Sequence, residues 1–224
     1  MLDLFASVGA THFDVTWTNA AGEEQAFRRG FLSHALPAWL LPDAERKQHN
    51  VIVRPRSGSS VTLVQLDDLD ADKLARVAAS AFLILETSPG NYQAWAALQA
   101  VEDKDFVRRF KKGVGADATA SGATRVAGSL NFKAKYAPNF PRVAIYAAQL
   151  GRLASPTELE RLGLVSAPEP VAQPLRIHAP RISGNRSWPS YTRCLDGAPL
   201  NSEETGPDVS RADFVFCMTA ITWG

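Results

Sequence analysis

Residues 61–98 read VTLVQLDDLDADKLARVAASAFLILETSPGNYQAWAAL, and their succession of apolar runs, acids and a turn decides the fold. Val61–Leu66 has the alternation of a β-strand and runs into Asp67, Asp68 and Asp70. Asp70 is the expected N-cap of a helix over Ala71–Ala79, with Leu74 and Val77 on its buried side. Phe82–Thr87 and Tyr92–Leu98 read as two further strands joined at Ser88-Pro89-Gly90-Asn91, a hairpin. In a strict strand Asp67 and Asp68 point to opposite faces, so they can act together only where the strand ends or bulges. Asp68 and Asp70 keep the i, i+2 alternation, but that pairing takes Asp70 from the helix cap. Carboxylates at a strand end can hold a divalent metal ion within reach of substrate, which is the chemistry of nucleotidyl transfer. The alternative is that the three acids only terminate a strand and cap a helix.

Outward from this stretch, Leu2–Val8 reads as a short helix closed by Gly9, and His12–Thr18 as a strand. Phe31–Leu41 is expected to be a helix interrupted or begun at Pro37, and Asn50–Pro55 a strand. A helix opening at Asp103 or Lys104 places Phe106, Val107, Phe110 and Val114 on one face and Arg108, Arg109, Lys111 and Lys112 on another. Gly115–Gly128 is a loop by composition, Arg142–Ala148 a strand, and Ser155-Pro156-Thr157-Glu158 a helix start. Strands interleaved with helices, two of them in a hairpin, argue for an α+β fold with a mixed or antiparallel sheet. The expected domains are 1–165, a proline-rich linker over 166–189, and 190–224 as the start of a helical region that would continue past Gly224.

At 224 residues, 46% hydrophobic and 21% charged, the chain has material for a real core. Its net charge of +1 decides nothing about partners, but the distribution is uneven. Ala118–Thr157 holds no acid and includes Arg125, Lys133, Lys135, Arg142 and Arg152, a pattern suited to an anionic ligand or to a solvated face balanced elsewhere. The two cysteines, Cys194 and Cys217, form neither a disulfide framework nor a zinc site. The start of the chain lacks a signal-peptide pattern, and no apolar run is long enough to span a bilayer, so a cytoplasmic protein with no membrane partner is expected.

A third carboxylate for a metal site has two candidates, Asp117 and Glu86. Arg125 to Lys133 offers a guanidinium, the Asn131 amide and an ammonium within nine residues, the groups that grip a triphosphate. The four histidines have no ligand spacing, and no phosphate-loop GxxxxGK[ST] occurs. Trp17, Trp39, Tyr92, Trp95 and Phe132 are candidates for base stacking or for core.

The segments LVQLDDL, LILETSPGNYQAW, GADATASG and TRVAGSLNFK, in this order and spacing, resemble the plasmid RepB-type DNA primases of the archaeal–eukaryotic primase superfamily. The resemblance covers about residues 1–150, and WPSYTRCLDGAP with PDVSRADF resembles the opening of the helical region that follows the catalytic domain. It implies an RRM-like sheet core with flanking helices and metal-dependent primer synthesis on a single-stranded DNA template. It further implies Mg2+ or Mn2+ at Asp67, Asp68 and Asp117. Nucleoside triphosphate contacts fall on Ser88, Asn91, Gln93, Arg125, Asn131 and Lys133, although the wider superfamily has a histidine where Gln93 stands. Arg54, Arg108 and Arg109 are candidates to track the template backbone. A helicase or relaxase of the same plasmid or mobile element is the further partner class. Two other readings stay open: a non-catalytic module binding single-stranded origin DNA, and a metal-dependent nuclease or relaxase accessory domain.

Overall fold

The structure, a computed structural model, describes residues 1–168 apart from 34, 59, 100, 102 and 104, together with 190–201 and 205–223. The chain divides into two units, Met1–Glu169 and Pro170–Gly224. In chain order the first unit contains α1 (Leu2–Ser7), β1 (Ala10–Thr18), β2 (Glu24–Leu32), α2 (Leu40–Arg46), β3 (Asn50–Ser57), β4 (Val61–Leu69) and α3 (Ala71–Val77). It continues through β5 (Leu83–Ser88), β6 (Asn91–Gln99), α4 (Phe106–Val114), β7 (Thr124–Arg125), β8 (Ala144–Ala148) and α5 (Pro156–Arg161).

The strands form two four-stranded antiparallel sheets, in the orders β2-β1-β3-β7 and β4-β6-β5-β8. One face of the first sheet, with Phe13, Val15, Val51 and Val53, shares a core with Leu83, Leu85, Trp95 and Ala97 of the second. Phe5 of α1 is at the centre of this core, edge-on to Phe13, Phe82 and Trp95. The opposite face of the second sheet, with Val64, Leu66, Ile84, Ala94 and Ala96, is covered by Leu74 and Val77 of α3, Phe106 and Phe110 of α4, and Leu159 of α5. Burial on both faces is why β5 and β6 read as nearly unbroken apolar runs. The first sheet keeps one face open, and its β1 and β3 alternate accordingly: Ile52 and Arg54 lie between the buried Val51 and Val53 and beyond them.

The caps follow their sequence signals. Asp70 accepts from Lys73 N at 2.9 Å and Ser155 Oγ accepts from Glu158 N at 3.1 Å, with Pro156 in the first turn of α5. One strand was not anticipated, and one expected helix is corrected. Residues 24–32 form a strand, and the helix expected over Phe31–Leu41 is confined to Leu40–Arg46. The β2 pattern is hidden because it is an edge strand, exposed along most of its length, with an irregular register where Gly30 takes φ +57°. Pro37 opens a turn, its carbonyl accepting from Leu40 N at 3.0 Å. Within the Gly115–Gly128 loop, Thr124 and Arg125 pair with Val53 and Ile52.

In the second unit, α6 (Tyr191–Asp196) and α7 (Val209–Trp223) pack on each other, with Tyr191 edge-on to Phe216 and its hydroxyl on Asp213 at 2.6 Å. Cys194 and Cys217 are both free thiols. The linker expected over 166–189 lies almost wholly outside the described residues. Among the described residues no helix is long and apolar enough to cross a membrane.

Candidate active site

At the end of β4 the register with β6 shifts. Leu66 faces Ala94, but Leu69 faces Tyr92, so Asp67 and Asp68 together oppose Gln93. This is a β-bulge, and Asp68 carries its turn at φ +62°. The extra residue breaks the alternation that would separate neighbouring side chains, and both acids line one cleft of ≈ 270 Å³. Asp67 Oδ1 accepts from Asp68 N and from Gln93 Nε2, each at 3.0 Å, and Asp68 Oδ1 accepts from Asn91 Nδ2 at 3.1 Å.

Asp117 reaches the same cleft from the end of α4. Gly115, left-handed at φ +76°, stops that helix, and Asp117 N then donates to Asp67 O at 3.0 Å. The Asp117 carboxylate accepts from Thr119 Oγ1 and Thr119 N, at 2.7 and 2.8 Å. These bonds hold it below the usual carboxylate range, helped by the charge of Lys111. Lys111 donates to Ala120 O at 2.9 Å, and burial pushes its ammonium down against the pull of Asp117 and Asp67. Glu86, the other candidate for a third acid, does not line the cleft and accepts from Gly90 N at 3.1 Å.

The opposite wall is basic. Arg125 of β7 lines the cleft with Lys133 and Lys135, and the loop before Arg125 is pinned by Gln65, which bonds Ala123 O and Gly122 N at 2.6 and 2.7 Å. Burial pushes the Arg125 guanidinium down, opposed by the negative charge of Asp67. A cation desolvated beside a cleft is a ready partner for an anion. Asn50 supports this wall from below. It is 2% exposed; its Oδ1 accepts from Phe132 N at 2.8 Å and Arg125 Nε at 3.3 Å, and its Nδ2 donates to Asn19 O at 3.1 Å. Asn131, buried, donates to Thr87 O at 2.9 Å, and Ser88 Oγ meets Tyr136 Oη at 2.7 Å.

The cleft therefore gathers Asp67, Asp68, Asp117, Ser88, Asn91, Gln93, Arg125, Asn131 and Lys133. Thr87, Thr124, Lys135 and Tyr136 join them without having been expected there. Lys135 stood out only as part of the acid-free segment, and nothing local marks Tyr136 or the supporting Asn50. Arg54 lies in a neighbouring depression of ≈ 330 Å³ on the open face of the first sheet, which shares Ile52 and Ala123 with the cleft. Arg108 and Arg109 line neither. Arg109, expected to track a template, is 9% exposed and bound to Asp103 at 2.9 Å and Ser166 O at 3.0 Å. Arg108 is exposed on the same helix, 3.4 Å from Asp105.

The donor chemistry suits a hard divalent cation, since every candidate ligand is a carboxylate oxygen. Among the described residues no three His, Cys, Asp or Glu side chains converge as a ready-made cage.

Comparison with curated proteins finds no match. Among solved structures the chain is similar to a crystal structure of primase RepB′, with 25% identity and a TM-score of 0.57, over 72% of this chain and 60% of that one. It also shares the fold of the catalytic domain of primase RepB′ solved in complex with initiator DNA, at 24% identity and a TM-score of 0.54, over 72% of this chain and 90% of that one. The chain thus spans less than two thirds of the first of these proteins. The model of the RepB DNA-primase N-terminal domain matches residues 18–162, and the chain belongs to that family.

Proposed function

We propose that this protein is a template-directed DNA primase, a nucleotidyltransferase that starts primers on single-stranded DNA during plasmid or mobile-element replication in the cytoplasm. The observation that carries the reading is the bulge at Asp67–Asp68, which sets two carboxylates in one cleft with Arg125 and Lys133. Asp67 and Asp68 would hold Mg2+ or Mn2+, with Asp117 joining when it turns from Thr119. Bound there, the ion would lower the pKa of an attacking 3′-hydroxyl and neutralise charge on departing pyrophosphate. Arg125 and Lys133 would bind the triphosphate, Arg125 as a planar fork and Lys133 as a point charge. Asn91 would orient Asp68, and Ser88 with Tyr136 would line the nucleotide's path. Template phosphates would pass Arg54 on the open sheet face.

Calorimetric titration with a nucleoside triphosphate, with and without Mn2+, tests the site. The expected result is binding strengthened by Mn2+, with the strengthening lost in Asp68→Asn and affinity reduced about tenfold or more in Lys133→Ala. Single-stranded DNA binding with no triphosphate binding would instead assign the non-catalytic origin-binding reading.

A further inference from the structure

Gln93 and Trp95 follow one another on the face of β6 that looks toward the first sheet, and both are buried, at 4% and 1% exposure. The Trp95 indole Nε1 donates to Gln93 Oε1 at 2.9 Å, and Gln93 Nε2 donates to Asp67 Oδ1 at 3.0 Å. An indole N–H can only donate, so the amide oxygen must face Trp95 and the amide NH2 must face Asp67. The orientation of the amide is thereby set by a side chain packed in the core, since Trp95 is 1% exposed and edge-on to Phe5 with ring centroids 4.9 Å apart. Asp67 Oδ1 receives a second bond from Asp68 N, so the carboxylate is held from two directions and Oδ2 is the oxygen outside both bonds.

We infer that Gln93 is a positioning residue for Asp67, locked by Trp95 through the relay indole N–H, amide, carboxylate. This rests on the reading of Asp67 as a metal-holding acid, and assigns Gln93 to the carboxylate where the resemblance implied a nucleotide contact. The chemistry explains the residue type. A carboxylate at this position would accept from Trp95 and set its other oxygen against Asp67, whereas an amide satisfies a donor on one side and an acceptor on the other. Hydrogen-bond partners of metal-holding carboxylates commonly change metal affinity by about 10–100-fold when removed.

The test is Mn2+ binding to the full chain, followed by electron paramagnetic resonance, for wild type, Gln93→Met, Trp95→Phe and the double variant, each confirmed folded by thermal melting. Gln93→Met is expected to raise the Mn2+ dissociation constant by about 10–100-fold. Trp95→Phe, which removes a group touching no substrate, should weaken binding in the same direction by freeing the amide to flip. The double variant should bind as Gln93→Met does, because Trp95 acts only through Gln93. Wild-type affinity in folded Gln93→Met overturns the inference and leaves the primase reading standing, as does a double variant in which the two losses simply multiply. Absence of Mn2+ binding in wild type both with and without a nucleoside triphosphate overturns the reading of Asp67 as a metal-holding acid and the inference with it.

Discussion

Asp68 holds a left-handed backbone at φ +62°, a conformation that disfavours most L-residues by roughly 1 kcal/mol and is best tolerated by Gly, Asn and Asp. Asp is thus a residue that can both turn the bulge and present a carboxylate. Asp68→Asn keeps the backbone preference and an oxygen to accept from Asn91, so it should melt like wild type and make no primer. Asp70→Ala should do the reverse. It removes the α3 cap and should lower stability in urea unfolding by about 1 kcal/mol while primer synthesis persists. The pair separates the two roles open for these acids. From the sequence, the need for a bulge follows from Asp67 and Asp68 being neighbours in a strand, but the positive φ that meets it does not. The cap at Asp70 was legible because its partner is three residues away.

Among the elements, the basic wall depends on one amide at the start of β3. Asn50→Ala would leave Phe132 N without its acceptor and Arg125 without its support, and is expected to cost about 1–3 kcal/mol in denaturant unfolding and to raise the KM for nucleotide. Nothing in the sequence points to Asn50, because its partners lie 31 to 82 residues away. Strand β2 was also illegible: its edge position and Gly30 irregularity remove the alternation that reveals β1. That irregularity is pinned by Asp14, 3% exposed, which accepts from Gly30 N at 2.8 Å and from Arg56 Nε and Nη2 at 2.9 and 2.7 Å. Burial alone raises the Asp14 carboxyl, but these bonds outweigh it and hold the group below its usual range. A carboxyl depressed on folding contributes stability above its unfolded value, near 3.9, and the contribution is lost as pH falls through the folded value. Arg56→Ala narrows that gap, so its acid-unfolding midpoint should move to higher pH in a circular dichroism titration.

For the molecule as a whole, the decisive asymmetry is that the second sheet is covered on both faces and the first on one. Helix α4 packs under the second sheet, which turns Arg109 inward and leaves the open face of the first sheet, with Arg54, beside the cleft. The sequence showed the basic residues of the α4 helix but could not sort buried from available cations, since that depends on which helix face meets the sheet. Arg54→Ala should weaken binding of single-stranded DNA and reduce the slope of log affinity against log salt by about 1. If the carboxylates at the β4 bulge serve synthesis, primer formation on single-stranded DNA with Mg2+ or Mn2+ depends on them, and a comparison of wild type with Asp68→Asn decides it. Labelled oligonucleotides complementary to the template are expected from wild type and none from the variant. Equal product from both, with both folded, would contradict it.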